Sequence, residues 1–126
     1  MKKSVFIAIC LLLASVVSAQ SEIQNVATGF QNGNPSAVSD YFDNNVELII
    51  LSVNGTFSKQ KAADMLSDFF RKNPVQRFNL AHRGISGNSS FGTGNLSTPN
   101  GDFRVYFLFR KKGNLQVIKT LRIEAI

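Results

Sequence analysis

The chain has 126 residues, 44% of them hydrophobic, with one cysteine, one histidine and a formal charge of +6. That is one domain's worth of polypeptide, long enough to bury a single core without disulfide or metal staples. A lone histidine and a lone cysteine give no zinc pattern, and neither a glycine-rich phosphate loop nor a G-x-S-x-G elbow occurs, so those chemistries are set aside.

The first twenty residues, MKKSVFIAICLLLASVVSAQ, have the three parts of a secretory signal. Lys2 and Lys3 form a basic n-region, Val5 to Leu13 an apolar run, and Val17 and Ala19 the small residues before a cleavage site. The run is shorter than the roughly 20 residues of a bilayer span, which disfavours a retained anchor. Cys10 follows Ile9, where a lipoprotein signal has a small residue, and lies inside the apolar run instead of at its end, so it is expected to be no lipoprotein cysteine and to leave with the signal. The expected organisation is a signal peptide over residues 1–19 and one domain over 20–126, in a bacterial protein of the periplasm or exterior. The mature chain has no cysteine, no membrane span and a charge of +4, from 12 basic and 8 acidic residues.

Ile23, Val26, Ala27 and Phe30 fall on one stripe of an amphipathic helix that Ser21, before Glu22, can cap and Gly33 can end. Asn34 as N-cap and Pro35 at the first helical position begin a second, shorter helix, with Val38, Tyr41 and Phe42 inward. VELIILSV reads as a largely buried strand, and Asn54-Gly55 suits a tight hairpin turn. Ser58 caps a third helix whose stripe is Ala62, Met65, Leu66, Phe69 and Phe70, stopped by Pro74. Beyond Pro74 the period becomes two, and four strands follow in a meander, separated by Gly87-Asn88, Pro99 to Gly101, and Lys111 to Asn114. In the third of these, Phe103, Val105, Phe107 and Phe109 share one face; Arg104, Tyr106, Leu108 and Arg110 share the other.

This order, ααββαββββ, is that of an α+β protein with three N-terminal helices packed on a curved, mostly antiparallel sheet. With GNPSAVSDYFDNNVELII and GTFSKQKAADMLSDFF as signposts, it resembles the nuclear transport factor 2-like superfamily, a cystatin-like cone that also includes ketosteroid isomerases and scytalone dehydratases. Within it the chain looks like a small secreted bacterial family of unknown function. The resemblance implies a pocket between helices and sheet, and an outer sheet face that commonly packs on a second subunit. It does not imply an activity, since the fold hosts many.

The superfamily's isomerases use a carboxylate base, which directs attention to Asp40 and Asp43. Both are read here as capping and turn residues on a polar flank, leaving Tyr41 and Phe42 to face the pocket. Glu47 alternates with Val46 and Leu48 and points outward. His82 shares a side with Phe78 and Leu80, and its near-neutral pKa makes it the one candidate for acid–base work. Lys119 interrupts the apolar side formed by Leu115, Val117, Leu121 and Ile123; it is an anchor for an acidic ligand unless a bulge turns it outward.

The expected function is a non-enzymatic module binding a small molecule or peptide, with Tyr41, Phe42, Phe78, His82 and Lys119 lining an apolar pocket. The alternatives are an isomerase or dehydratase using His82, and a ligand-free homodimer joined through Arg104, Tyr106 and Leu108. No metal, cofactor or nucleic acid is expected.

Overall fold

The computed structural model describes residues 19–126; the signal reading and Cys10 lie outside the described residues. Helix α1 is described over residues 19–31 and buries Ile23, Val26, Ala27 and Phe30, the stripe its spacing dictates; Ala19 and Gln20 are already helical, so Ser21 lies inside the helix and does not cap it. Helix α2 (Pro35–Ser39) starts where the Asn34 side chain accepts from the Ser36 and Ala37 amides, satisfying donors the first turn leaves open. Helix α3 (Lys59–Lys72) is capped by Ser58, whose hydroxyl accepts from the Lys61 amide, and buries Ala62, Leu66, Phe69 and Phe70. Its last turn is fixed by Asn100, which donates to the Lys72 carbonyl and the Asn73 side chain.

Six strands follow the expected order: β1 (Phe42–Ile50), β2 (Val53–Ser58), β3 (Arg77–Ser86), β4 (Ser89–Thr98), β5 (Gly101–Lys112) and β6 (Leu115–Ala125). They form one sheet in the order β2-β1-β6-β5-β4-β3, antiparallel except where β1 meets β6. The protein is thus α+β, helices followed by a curved, mostly antiparallel sheet.

The first hairpin turns earlier than Asn54-Gly55 suggests. Ile50 pairs with Val53, so Leu51 and Ser52 make the turn, while Asn54 and Gly55 lie inside β2 opposite Ile49 and Leu48. Burial of Val46, Leu48 and Ile50 sets the β1 register, and the Leu51 amide donates to the Ile123 carbonyl. Leu51 accordingly takes φ of 55°, a left-handed conformation uncommon for leucine.

A continuous run of aromatic rings fills the space between helices and sheet. Phe30 of α1 stacks on Phe78 at 5.3 Å and Phe107 at 6.3 Å, and meets Phe70 edge-on at 5.6 Å. Phe107 continues to Phe109, and Phe70 through Phe69 to Phe103. Strand β4 makes room for two of these rings with glycine. A Cβ on Gly92 would sit 2.5 Å from Phe107 Cζ, and one on Gly94 2.4 Å from Phe78 Cζ. The glycine-rich SGNSSFGTGN segment is therefore the floor of the aromatic core.

Candidate functional site

Two irregularities in the sheet redistribute the residues that strict alternation would align. In β3 the register shifts between Leu80, opposite Gly94, and His82, opposite Thr93, leaving Ala81 as an extra residue. One added residue reverses the facing of everything beyond it. His82 therefore leaves the side of Phe78 and Leu80 and is exposed on the outer face, which corrects the expectation that it lines the pocket.

In β6 the shift falls between Ile118, opposite Phe109, and Thr120, opposite Leu108, so Lys119 is the extra residue. The bulge lets Ile118, Leu121 and Ile123 all point into the core, and Leu115 is left 68% exposed. The apolar side read as Leu115, Val117, Leu121 and Ile123 is thus split in two. Lys119 is half-buried, with its ammonium committed to an acid.

That acid is Asp43. Its side chain is only 9% exposed and receives hydrogen bonds from Lys119 Nζ at 2.7 Å on Oδ2 and from Lys112 Nζ at 2.8 Å on Oδ1. The Asn44 amide also donates to Oδ1, at 2.8 Å. The two lysine hydrogen bonds, Lys112 first, hold the carboxyl well below the usual aspartate range against a smaller opposing effect of burial. Asp43 keeps the local turn role read for it, through Asn44, but it is not on a solvated flank. Strand β1 begins at Phe42, earlier than the apolar run suggests, and carries Asp43 into the sheet beside the β6 bulge.

Around this group lies a cleft of about 620 Å³, between the α2–β1 joint and the β5–β6 hairpin. Tyr41 gives it aromatic surface, with Phe42 buried behind it; Asp43, Asn44, Lys59 and Lys112 are among its polar groups. Lys59 Nζ donates to the Asp40 carbonyl at 3.2 Å, tying the start of α3 to the joint. Tyr41 is half-buried, edge-on to Phe109 at 5.5 Å, and its hydroxyl accepts from Asn25 at 2.9 Å. Asp40 is exposed at the rim.

The residues expected in one pocket do not come together. Tyr41 and Phe42 share this cleft, and Lys119 stands behind it on Asp43. Phe78 is buried in the aromatic core and borders a separate groove of about 170 Å³ beside α1. Sequence reasoning misses Asp43 and Lys112 as partners of the site, because no local pattern announces a contact across 69 or 76 residues. Among the described residues, no three of His, Cys, Asp and Glu come together as a metal site, and no helix is long and apolar enough to cross a membrane.

The outer sheet face carries half-buried Phe91, Tyr106 and Leu108, with exposed Arg104 beside them. Phe91 and Tyr106 lie 6.2 Å apart, and the Arg122 guanidinium sits 5.8 Å above the Tyr106 ring.

The sequence profile of DUF4783, a domain of unknown function, matches residues 23–124. The chain belongs to the DUF4783 family. Two solved members agree with this assignment. A DUF4783 protein from Bacteroides ovatus is 37% identical, with 81% of this chain and 93% of that one covered and a TM-score of 0.78. One from Bacteroides uniformis is 35% identical, with coverages of 82% and 95% and a TM-score of 0.79. A nuclear transport factor 2-like protein of unknown function from Shewanella baltica has 12% identity, coverages of 88% and 93% and a TM-score of 0.65, a likeness of fold alone. The DUF4783 domain thus has a nuclear transport factor 2-like fold. No curated protein matches the chain.

Proposed function

We propose that this DUF4783 protein is an exported, non-enzymatic binding module whose ligand, a small molecule or short peptide, occupies the cleft around Asp43. The observation that carries the reading is the cleft itself. Its volume of about 620 Å³ lies within the range of roughly 300–1,000 Å³ usual for ligand sites. Tyr41 offers apolar contact, while Lys59, Lys112 and Asn44 supply donors held at its edges. The aromatic filling of the cone argues for this peripheral site over a central one. Export is supported by the secretory pattern of the first nineteen residues and by a family match that begins just beyond them, at residue 23. The place of action is then the periplasm or the exterior.

The exposure of His82 and Asp40 argues against an isomerase or dehydratase, which needs its base inside a pocket. The test is a thermal-shift screen of small molecules and short peptides against the chain from residue 20 onward, repeated on Tyr41→Ala and Lys59→Gln. Compounds that raise the wild-type Tm but not that of the variants support the cleft. Compounds that act equally on all three proteins, or none at all, overturn it.

A second reading, a homodimer through the outer face, is favoured by the cluster of Phe91, Tyr106 and Leu108 under Arg122. Sedimentation velocity on wild type and Tyr106→Glu decides it: a dimer that dissociates in the variant supports the reading, and a monomeric wild type ends it.

A further inference from the structure

Cleavage between Ala19 and Gln20 makes glutamine the first residue of the mature protein. We propose that Gln20 then closes to a pyroglutamyl lactam, an inference that rests on the export reading. The uncharged α-amino nitrogen of Gln20 attacks its own side-chain carbonyl carbon Cδ. The N–Cδ bond forms, the Cδ–Nε2 bond breaks, and the side-chain nitrogen leaves as ammonia, taking up the proton that the α-nitrogen gives up. The step consumes no oxidant, reductant or water.

The fold permits it. Gln20 is exposed, whereas its neighbours Ala19 and Ile23 on the same helix are buried. All five ring atoms (N, Cα, Cβ, Cγ and Cδ) belong to Gln20, so closure turns only that side chain's torsions. Once cleavage makes Gln20 the first residue of α1, its nitrogen is one of those with no intrahelical acceptor to lose. An α-amino group has a pKa of about 7.7–8.0, so a reactive uncharged fraction is present at neutral pH.

The fold also favours the product. A free α-ammonium on Gln20 would add positive charge to the positive end of the α1 dipole, and the lactam removes that charge. Ile23 and Val26, fully buried in the core, hold this end of the helix in place with Gln20 on its open side.

The test is to express the full-length chain, with its own N-terminal segment, in an exporting bacterial host and to recover it from the periplasm or medium. The N-terminal peptide is read by mass spectrometry, with samples acidified at harvest, and by Edman degradation. The expected peptide begins at residue 20, is lighter than its sequence by one ammonia, and resists Edman chemistry until treated with a pyroglutamyl aminopeptidase. A peptide beginning at residue 20 with intact glutamine overturns the lactam and leaves the cleavage standing. A peptide beginning elsewhere overturns both. Gln20→Asn is one carbon too short to close a five-membered ring; it should be cut at the same bond and stay open to Edman degradation. A blocked N-terminus in the Gln20→Asn variant would assign the block to another chemistry and overturn the lactam.

Discussion

Asp43 and Lys119 stand 76 residues apart in the chain and 2.7 Å apart in the fold. The contact exists because β6 carries an extra residue at 119 just where β1 begins beside it, so a side chain that alternation would send to the core or the outer face reaches an acid instead. Lys112, at the far end of the same hairpin, takes the other carboxylate oxygen. Asp43→Asn keeps the shape and removes the charge that both lysines share. Lys112 is more than half exposed and regains water readily, which limits the loss to about 1–2 kcal/mol. Urea denaturation of wild type and variant measures it, and an unchanged midpoint would remove Asp43 from any role in holding the joint.

Acid should act through the same carboxylate. Its pKa is lower folded than unfolded, so the unfolded chain takes up the proton first as pH falls. The stability Asp43 contributes is whole above the ordinary aspartate range, near about 3.9, and drains away as pH drops through that range and below. Wild-type Tm therefore falls more steeply than that of Asp43→Asn between about pH 5 and pH 2. Parallel curves would contradict the assignment.

Gly92→Ala should destabilise by overpacking. The new methyl group would meet Phe107 at 2.5 Å, and Phe107 is stacked on Phe30 with no room to retreat. A loss of about 1–3 kcal/mol is expected, detectable as a drop in Tm. Gly87→Ala is a useful contrast: no atom lies within 4 Å of its Cβ, and only its φ of 58° opposes the change, for a cost of about 1 kcal/mol.

Phe30→Ala removes the ring that touches Phe70, Phe78 and Phe107 at once. It should cost about 3–5 kcal/mol, a large share of the roughly 5–15 kcal/mol that holds a domain folded. Circular dichroism melts and amide exchange distinguish such a global loss from a local loosening of α1.

His82→Ala should change little. The side chain is exposed on the outer face beyond the β3 bulge, so stability should move by no more than about 0.5 kcal/mol, and ligand responses at the Asp43 cleft should be unaltered. A loss of binding in this variant would move the ligand site to the outer face.

What is legible in the sequence is whatever local chemistry decides. Asn34, Pro35 and Ser58 announce their helix starts, and the Phe103 to Phe109 alternation gives its buried face directly. Ala81 and Leu51 escape, and the bulge at Lys119 stays one of two open readings, because each is settled by a partner strand. A bulge leaves no mark in a run of alternating residues, and the turn at Leu51 is placed by its hydrogen bond to Ile123. The candidate site suffers most, since Asp43, Lys112 and Lys119 come from three separate stretches and are joined through the β6 bulge.

Strand β1 is joined to the rest of the sheet by β6, the last of the six strands in chain order. Until Leu115–Ala125 is available, the β1–β2 hairpin has no further strand to pair with, and the Phe42, Leu48 and Ile50 row faces no Ile118, Leu121 or Ile123. Such distant pairing makes completion of the sheet wait for β6, because loop closure must come before the contacts that reward it. A chain in which β6 has not yet been made is therefore held open by its own topology, and loss of that strand would leave β1 an unpaired edge.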